Sequence, residues 1–205
     1  PIGIVVNFNG ERFIDEGADY RNHTYAKYGK EVMKQLQRTA VQIFDEKTHA
    51  NVRDEYRIRE VTKASADTIE ELAEKLDINV EGLKKTVAEF NAACQPGEYN
   101  PSILDGVCTK GLAVPKSNWA LPIDQGPFHG YVVTCGITFT FGGLKIDTDA
   151  RVLDLTDKPI PGLYAAGELV GGLFYQNYPG GTGLLNGSVF GRLAGKNAGQ
   201  LSKAA

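Results

Sequence analysis

Gly162-Leu163-Tyr164-Ala165-Ala166-Gly167-Glu168, followed by Gly180-Gly181-Thr182-Gly183-Leu184-Leu185, is the stretch on which the reading of this chain turns. The first part is an apolar run ending in a glycine and an acid, which predicts a strand whose tip delivers the Glu168 carboxylate. The second is a glycine-rich start to a helix that runs from Gly181 to the end of the chain, with Leu184, Val189 and Leu193 among its apolar positions. A helix start exposes unpaired backbone N–H groups and the positive end of the helix dipole, so it attracts negative charge. A carboxylate at a strand tip suits sugar or polyol hydroxyls, as in dinucleotide folds. Together they fit a ligand with a polyol arm and a partly anionic ring. Tight turns in an ordinary α/β sheet are the alternative that glycine spacing alone leaves open.

Working outward, the chain divides into two unlike compositions. Of its 24 glycines, 15 lie from Gly130 onward and 9 before it, whereas 36 charged residues precede Gly130 and 11 follow it. The expected division is 1–129 and 130–205. In the charged part, Ile2 to Phe8, Asn9-Gly10 and Glu11 to Ile14 predict a β-hairpin with an Asn-Gly turn. A helix is expected over Tyr25 to Arg38 and a strand over Ala40 to Phe44, closed by Asp45. Asp67 with Glu70 has the spacing of a capping box before Ile69, Leu72, Ala73 and Leu76. Asn79 is placed to cap a second helix carrying Leu83, Val87 and Phe90 on one face. Gln95 to Gly126, with Pro96, Pro101, Pro115, Pro122 and Trp119, reads as an ordered connector. Strands are expected over Tyr131–Cys135, Ile137–Phe141, Leu144–Ile146 and Val152–Leu155.

The net charge of −3 on 205 residues, with bases scattered among acids, gives no footprint for nucleic acid or an anionic membrane. No run approaches the roughly 20 apolar residues of a membrane span. The segment from Pro1 to Phe8 lacks the basic start of a signal peptide. Cys94, Cys108 and Cys135 are odd in number and form no C-x-x-C pair, which points away from a disulfide framework and toward a reducing, cytoplasmic setting with buried thiols. His23, His49 and His129 show no metal-ligand spacing, and no metal is expected. Ser188 lacks a nucleophile-elbow context and reads as helix packing.

Gly142-Gly143-Leu144-Lys145-Ile146-Asp147, Pro161 to Glu168, Gly171-Gly172, Gly180-Gly181 and Phe190-Gly191-Arg192-Leu193-Ala194-Gly195 closely resemble, in order and spacing, the C-terminal part of the fumarate reductase/succinate dehydrogenase flavoproteins. Val5-Val6-Asn7 through Gly10, Arg12-Phe13 and Glu16, with the helical hairpin, resemble the same family's substrate-capping domain. The resemblance implies an α+β chain: a substrate-capping domain plus the C-terminal β-strands and helix of a Rossmann-like FAD-binding domain. The family's G-x-G-x-x-G segment for the ADP half of FAD does not occur, so an N-terminal FAD-binding segment is expected outside this chain, which then reads as a piece of a larger flavoenzyme.

What the resemblance implies for the site is specific. FAD contacts are expected at Gly167, Glu168, Gly180, Gly181, Thr182, Gly183, Leu184 and Leu185, with Glu168 on ribityl or ribose hydroxyls and the N–H groups near Gly183 and Leu184 on the isoalloxazine N1/O2 edge. The implied reaction moves a hydride between flavin N5 and a C–C bond next to a carboxylate or carbonyl. Arg21, one position beyond the family's place, is the expected proton donor. Phe139 stands where fumarate reductases carry a substrate histidine, and Tyr178 where they carry an arginine. Losing those groups weakens the case for a small dicarboxylate. Tyr178-Pro179-Gly180 resembles ketosteroid dehydrogenases, where a tyrosine polarises a carbonyl, and Gly136 to Gly143 resembles the tricarballylate dehydrogenase branch. Phe139, Thr140 and His129 are the substrate-binding candidates, and Arg21 and Tyr178 the catalytic ones. A small carboxylate or keto substrate and an external electron donor or acceptor are the implied partners. The competing reading is a non-catalytic binding domain that keeps the cap fold.

Overall fold

The computed structural model describes residues 2–204, with side chains to residue 201. The chain forms two compact units, Pro1–Cys135 and Gly136–Ala205. In the first, strands β1 (Ile4–Val6), β2 (Thr39–Phe44), β3 (Lys63–Ala66) and β4 (Phe128–Thr134) make one sheet in the order β1-β2-β4-β3, every neighbour antiparallel. The boundary expected at 129/130 therefore falls within β4. That strand is hydrogen-bonded to β2 and β3, so the division moves to 135/136.

Strand alternation sends side chains to opposite faces, and here both faces are covered. Ile4, Val6, Val41 and Ile43 pack with α3 (Ile69–Lys75) and α4 (Val80–Ala93), through Leu72, Leu76, Leu83, Val87 and Phe90. Val5 and Ala40, on the other face, pack with Ile14 and with Val32 of α1 (Arg21–Met33). A four-residue helical turn, α2 (Glu46–His49), follows β2. The α3/α4 hairpin matches expectation except at its start. The cap of α3 is Thr68, whose Oγ1 accepts from the Glu71 N–H at 3.2 Å, so the Asp67/Glu70 box is displaced by one residue. Asn79 caps α4 as expected, accepting from the Gly82 N–H at 2.7 Å.

Other differences have local causes. The second arm of the N-terminal hairpin shrinks to one bridge, Val6 with Arg12. Its Asn9-Gly10 turn is held by Asn7 Oδ1, which accepts from the N–H groups of Asn9 and Glu11, and it lies directly on the start of α4. A Cβ on Gly10 would come within 2.2 Å of the Leu83 nitrogen, and one on Gly82 within 1.9 Å of the Asn9 carbonyl oxygen. The helix expected over 25–38 is instead α1: Asp19 Oδ1 accepts from the Tyr20 N–H just ahead of it, and left-handed Gln37 and Arg38 turn the chain into β2 after it.

Charged groups inside the first unit are held by partners. Glu16, 1% exposed, accepts from the Val5 N–H (2.8 Å) and from Arg12 Nε (3.0 Å) and Nη2 (2.5 Å). Arg12 also donates to the carbonyls of Ile14, Val114 and Pro115, and its guanidinium lies over the Phe90 ring at 5.1 Å. Lys116 is equally buried and donates to the Gly3 carbonyl. Burial lowers its pKa to about 8. The 95–126 segment is the ordered connector expected: Trp119 is buried, its indole N–H shared between the Asn100 and Ile103 carbonyls at 3.0 Å each. The three cysteines are free thiols, half-buried rather than buried.

The second unit is built on the antiparallel pair β5 (Arg151–Leu153) and β6 (Pro159–Tyr164), with Val152, Ala165, Val170 and Ile146 as its small core. Leu144–Ile146 makes only isolated bridges, to Val170 and Val152, and Ile137–Phe141 forms no strand. The reason is visible at Thr140, whose N–H is taken by a side chain. The terminal helix α5 spans Thr182–Ala204 as expected. Several of its apolar residues stay bare, Leu184 at 82%, Leu185 at 61% and Val189 at 46% exposure, whereas Phe190 and Leu193 are half-buried. Ser188 is exposed too, donating to the Leu184 carbonyl. Among the described residues no helix is long and apolar enough to cross a membrane.

Candidate functional site

The second unit gathers most of the residues singled out in the sequence. After β6 the chain passes through Gly167, at φ +84°, to Glu168. Glu168 Oε1 accepts from the Thr140 N–H at 2.9 Å, and the Thr140 hydroxyl reaches the Glu168 carbonyl at 3.4 Å. A cofactor candidate and a substrate candidate are thus fastened together. The segments 141–144 and 169–172 run in close contact: the Leu144 N–H donates to Leu169 at 2.8 Å and the Gly171 N–H to Leu144 at 3.0 Å. A Cβ on Gly143 would meet the Leu169 carbonyl oxygen at 2.2 Å and one on Gly171 the Gly143 nitrogen at 2.5 Å, so glycine at 143 and at 171 records the close approach of the two segments.

The start of α5 is shaped by Gly180 and Gly181, the latter at φ +89°. The Thr182 N–H and hydroxyl turn back on the Pro179 carbonyl (3.2 and 2.6 Å), and the Leu185 N–H donates to Gly181 at 3.2 Å. Between them, the N–H groups of Gly183 and Leu184 meet no acceptor among the described residues. Phe139 lies against this first turn, so close that a Cβ on Gly183 would fall 2.7 Å from its ring. Tyr178, 8% exposed, sits in an aromatic cluster with Phe139 at 4.8 Å, Phe174 at 5.5 Å and Phe141 at 6.1 Å between ring centroids.

Asn186, one turn into α5, was not anticipated. It is buried, donates from Nδ2 to the Gly167 carbonyl at 3.1 Å, and leaves Oδ1 without a partner. A polar residue among Leu184, Leu185 and Val189 was the available signal. Unpaired N–H groups on a helix dipole, the strand-tip carboxylate and this orphaned oxygen supply donors and acceptors suited to a ligand with both anionic and hydroxyl or N–H edges.

Two candidates belong to the first unit. Arg21 is the exposed first residue of α1. His129, on β4, is 9% exposed, with Nδ1 2.8 Å from Ser65 Oγ and Nε2 2.9 Å from Glu46 Oε2. Its ring stacks on that of His49 at 3.6 Å and 10°. The histidines have no metal-ligand spacing along the sequence, but in space Glu46, His49 and His129 hold their ligand atoms within 4.8 Å of one another. Chain separation hid the third member, although Glu46-x-x-His49 already has the spacing of one helical face.

Comparison with known proteins gives the family of the chain. The family described as "FAD binding domain" matches residues 1–185. The chain is 34% identical over 206 residues to an NADH:acrylate oxidoreductase of Vibrio harveyi, covering 97% of this chain and 18% of that protein. The open conformation of a flavocytochrome c3 fumarate reductase superposes with a TM-score of 0.70 at 34% identity, covering 97% of this chain and 32% of that one. The 3-ketosteroid Δ1-dehydrogenase of Sterolibacterium denitrificans also gives 0.70, at 29% identity, covering 97% and 39%. The chain thus spans well under half the length of these relatives. The cofactor indicated is FAD, and the relatives that indicate it are oxidoreductases. With Gly183 and Leu184 offering free N–H groups and Glu168 held at the strand tip, the chain belongs to the FAD-binding flavoprotein family in which the fumarate reductases fall.

Proposed function

We propose that this chain supplies the substrate cap and the isoalloxazine-side part of the flavin site in an FAD-dependent oxidoreductase acting on a C–C bond next to a carboxylate or carbonyl. The observation that carries it is the pair of unpaired N–H groups at Gly183 and Leu184, at the positive end of α5 and against the Phe139/Tyr178 aromatic cluster. Bound FAD supplies two-electron chemistry, exchanging a hydride at N5 with one carbon of the substrate. The two N–H groups stabilise negative charge on the N1/O2 edge of the ring, and the helix dipole adds to them. Glu168, steadied by the Thr140 N–H, accepts from polyol hydroxyls, and the Asn186 carbonyl oxygen offers one further acceptor. Gly167, Gly180, Gly181, Thr182 and Leu185 shape the backbone that holds these groups.

On the substrate side, Phe139 and Thr140 form the wall beside the ring, and Tyr178 directs its hydroxyl to a carbonyl or carboxylate oxygen. Arg21 is the group proposed to move a proton at the carbon adjacent to the hydride position. Its exposure in the first unit means that bound substrate has to desolvate it. A small enoate of the fumarate, acrylate or tricarballylate kind is the first substrate class. The four-ring aromatic cluster around Tyr178 favours a second, a larger ketone of the ketosteroid kind.

The test is a substrate screen of the FAD-loaded protein that carries this chain. Reduced flavin is mixed with enoates, oxidised flavin with saturated ketones, and bleaching or recovery of the yellow colour is followed. Glu168→Ala is expected to release FAD on dialysis, and Tyr178→Phe to lower turnover at least tenfold with FAD retained. Full FAD occupancy in the first variant and unchanged kinetics in the second would overturn the assignment.

A further inference from the structure

We propose that Glu46, His49 and His129 form a binding site for a divalent late transition metal of the zinc type, clipping α2 to β4. The donor set is two imidazoles and one carboxylate, a combination that holds zinc with three protein ligands and leaves a fourth position for water. Glu46 and His49 come from one turn of helix, three residues apart on the same face, and His129 comes from the strand beneath. Their ligand atoms lie within 4.8 Å of one another. A tetrahedral ion with ligand bonds of about 2.0–2.1 Å needs its ligands about 3.3 Å apart, so a contraction of at most about 1.5 Å completes the set.

The surroundings are built to orient the ligands. Ser65 lies directly across the sheet from His129, and its hydroxyl meets Nδ1 at 2.8 Å, which leaves Nε2 as the ligating nitrogen. The hydroxyl can accept as well as donate, so His129 can shift its proton to Nδ1 and present a bare Nε2 to an ion. Tyr131, two residues on along β4 and on the same face, meets His49 Nε2 at 2.7 Å and positions the second ring. Without an ion the two rings lie parallel, and lone pairs in parallel planes do not converge. An ion therefore splays the stack, and His49, half-buried on a four-residue helix, is the ring with freedom to tilt. Glu46, exposed and already on His129 Nε2 at 2.9 Å, takes the ion in place of that hydrogen bond.

None of these groups belongs to the flavin-side cluster, so the test stands apart from the flavin assignment. The whole 205-residue chain, stripped with chelator and then dialysed, is titrated with zinc chloride by calorimetry and with cobalt chloride by visible absorption. The expected result is one ion per chain with a micromolar or tighter Kd, and cobalt d–d bands without thiolate charge-transfer absorption. Glu46→Gln and His49→Ala, both outside the packed core, should each weaken binding at least tenfold, whereas His23→Ala should leave it unchanged. His129→Ala should abolish it, and the first two variants keep the test decisive if that one fails to fold. Binding weaker than 100 μM, thiolate absorption, or affinity that survives His49→Ala overturns the proposal.

Discussion

Removing Glu16 should destabilise the first unit more than almost any other single change. Glu16→Ala takes away the one carboxylate on Arg12 among the described residues and the acceptor of the Val5 N–H, both inside the protein. Breaking a buried ion pair from one side costs about 3–5 kcal/mol, because a charge is left uncompensated, and an orphaned buried N–H adds about 1–3. The carbonyls of Ile14, Val114 and Pro115 still hold Arg12, as does the Phe90 ring, so the lower part of the combined range applies, about 4 kcal/mol. Glu16→Gln keeps the shape and the Val5 contact but sets an amide NH2 against Arg12 Nη2 and removes the counter-charge, so it should lose less than Glu16→Ala while still clearly destabilising the unit. The double variant Arg12→Met/Glu16→Met removes both charges of the pair together and should lose much less than the two single changes summed, a coupling of about 2–3 kcal/mol. The chain has one tryptophan, Trp119, buried in the same unit, so urea unfolding followed by its fluorescence reads this unit alone. A loss below about 1 kcal/mol for Glu16→Ala, the value of an exposed pair, would refute the reasoning.

Two further perturbations probe the same unit. Burial lowers Lys116 from its ordinary 10.5 to about 8, so between those values the unfolded chain holds more protons than the folded one and stability rises with pH. From pH 7 to 10 that gain is on the order of 2–3 kcal/mol, and Lys116→Met should abolish it; parallel pH profiles for the two proteins would contradict the burial argument. Thr68→Ala should cost about 1 kcal/mol by leaving the Glu71 N–H uncapped, while Asp67→Ala should cost less than half of that in the same urea assay.

The sequence was most legible where one face decides the outcome. Leu72, Leu76, Leu83, Val87 and Phe90 announce two helices because their spacing leaves a single way to bury them. The glycine clusters were legible for a different reason: at Gly143, Gly171 and Gly183 a Cβ would strike a backbone or ring atom, so residue type records close approach directly. What stayed hidden depends on long-range partners. Ile137–Phe141 has strand composition but no strand beside it, and its Thr140 N–H is claimed by Glu168. Arg12 and Glu16 can be recognised as a sequence pattern, yet nothing local reveals that they form a buried ion pair. The Glu46, His49 and His129 cluster needs β4 laid beside β2, the strand that leads into α2, before it exists.

The bare stripe on α5 sets the concentrations at which these experiments read a single chain. Leu184, Leu185 and Val189 present adjoining apolar side chains to water, and such a surface finds a partner when molecules are crowded. Light scattering and sedimentation of the isolated chain should therefore depend on dilution, and a mild detergent or Leu184→Glu/Val189→Lys should suppress the dependence. Titrations with metal or denaturant belong on the dilute side of that association.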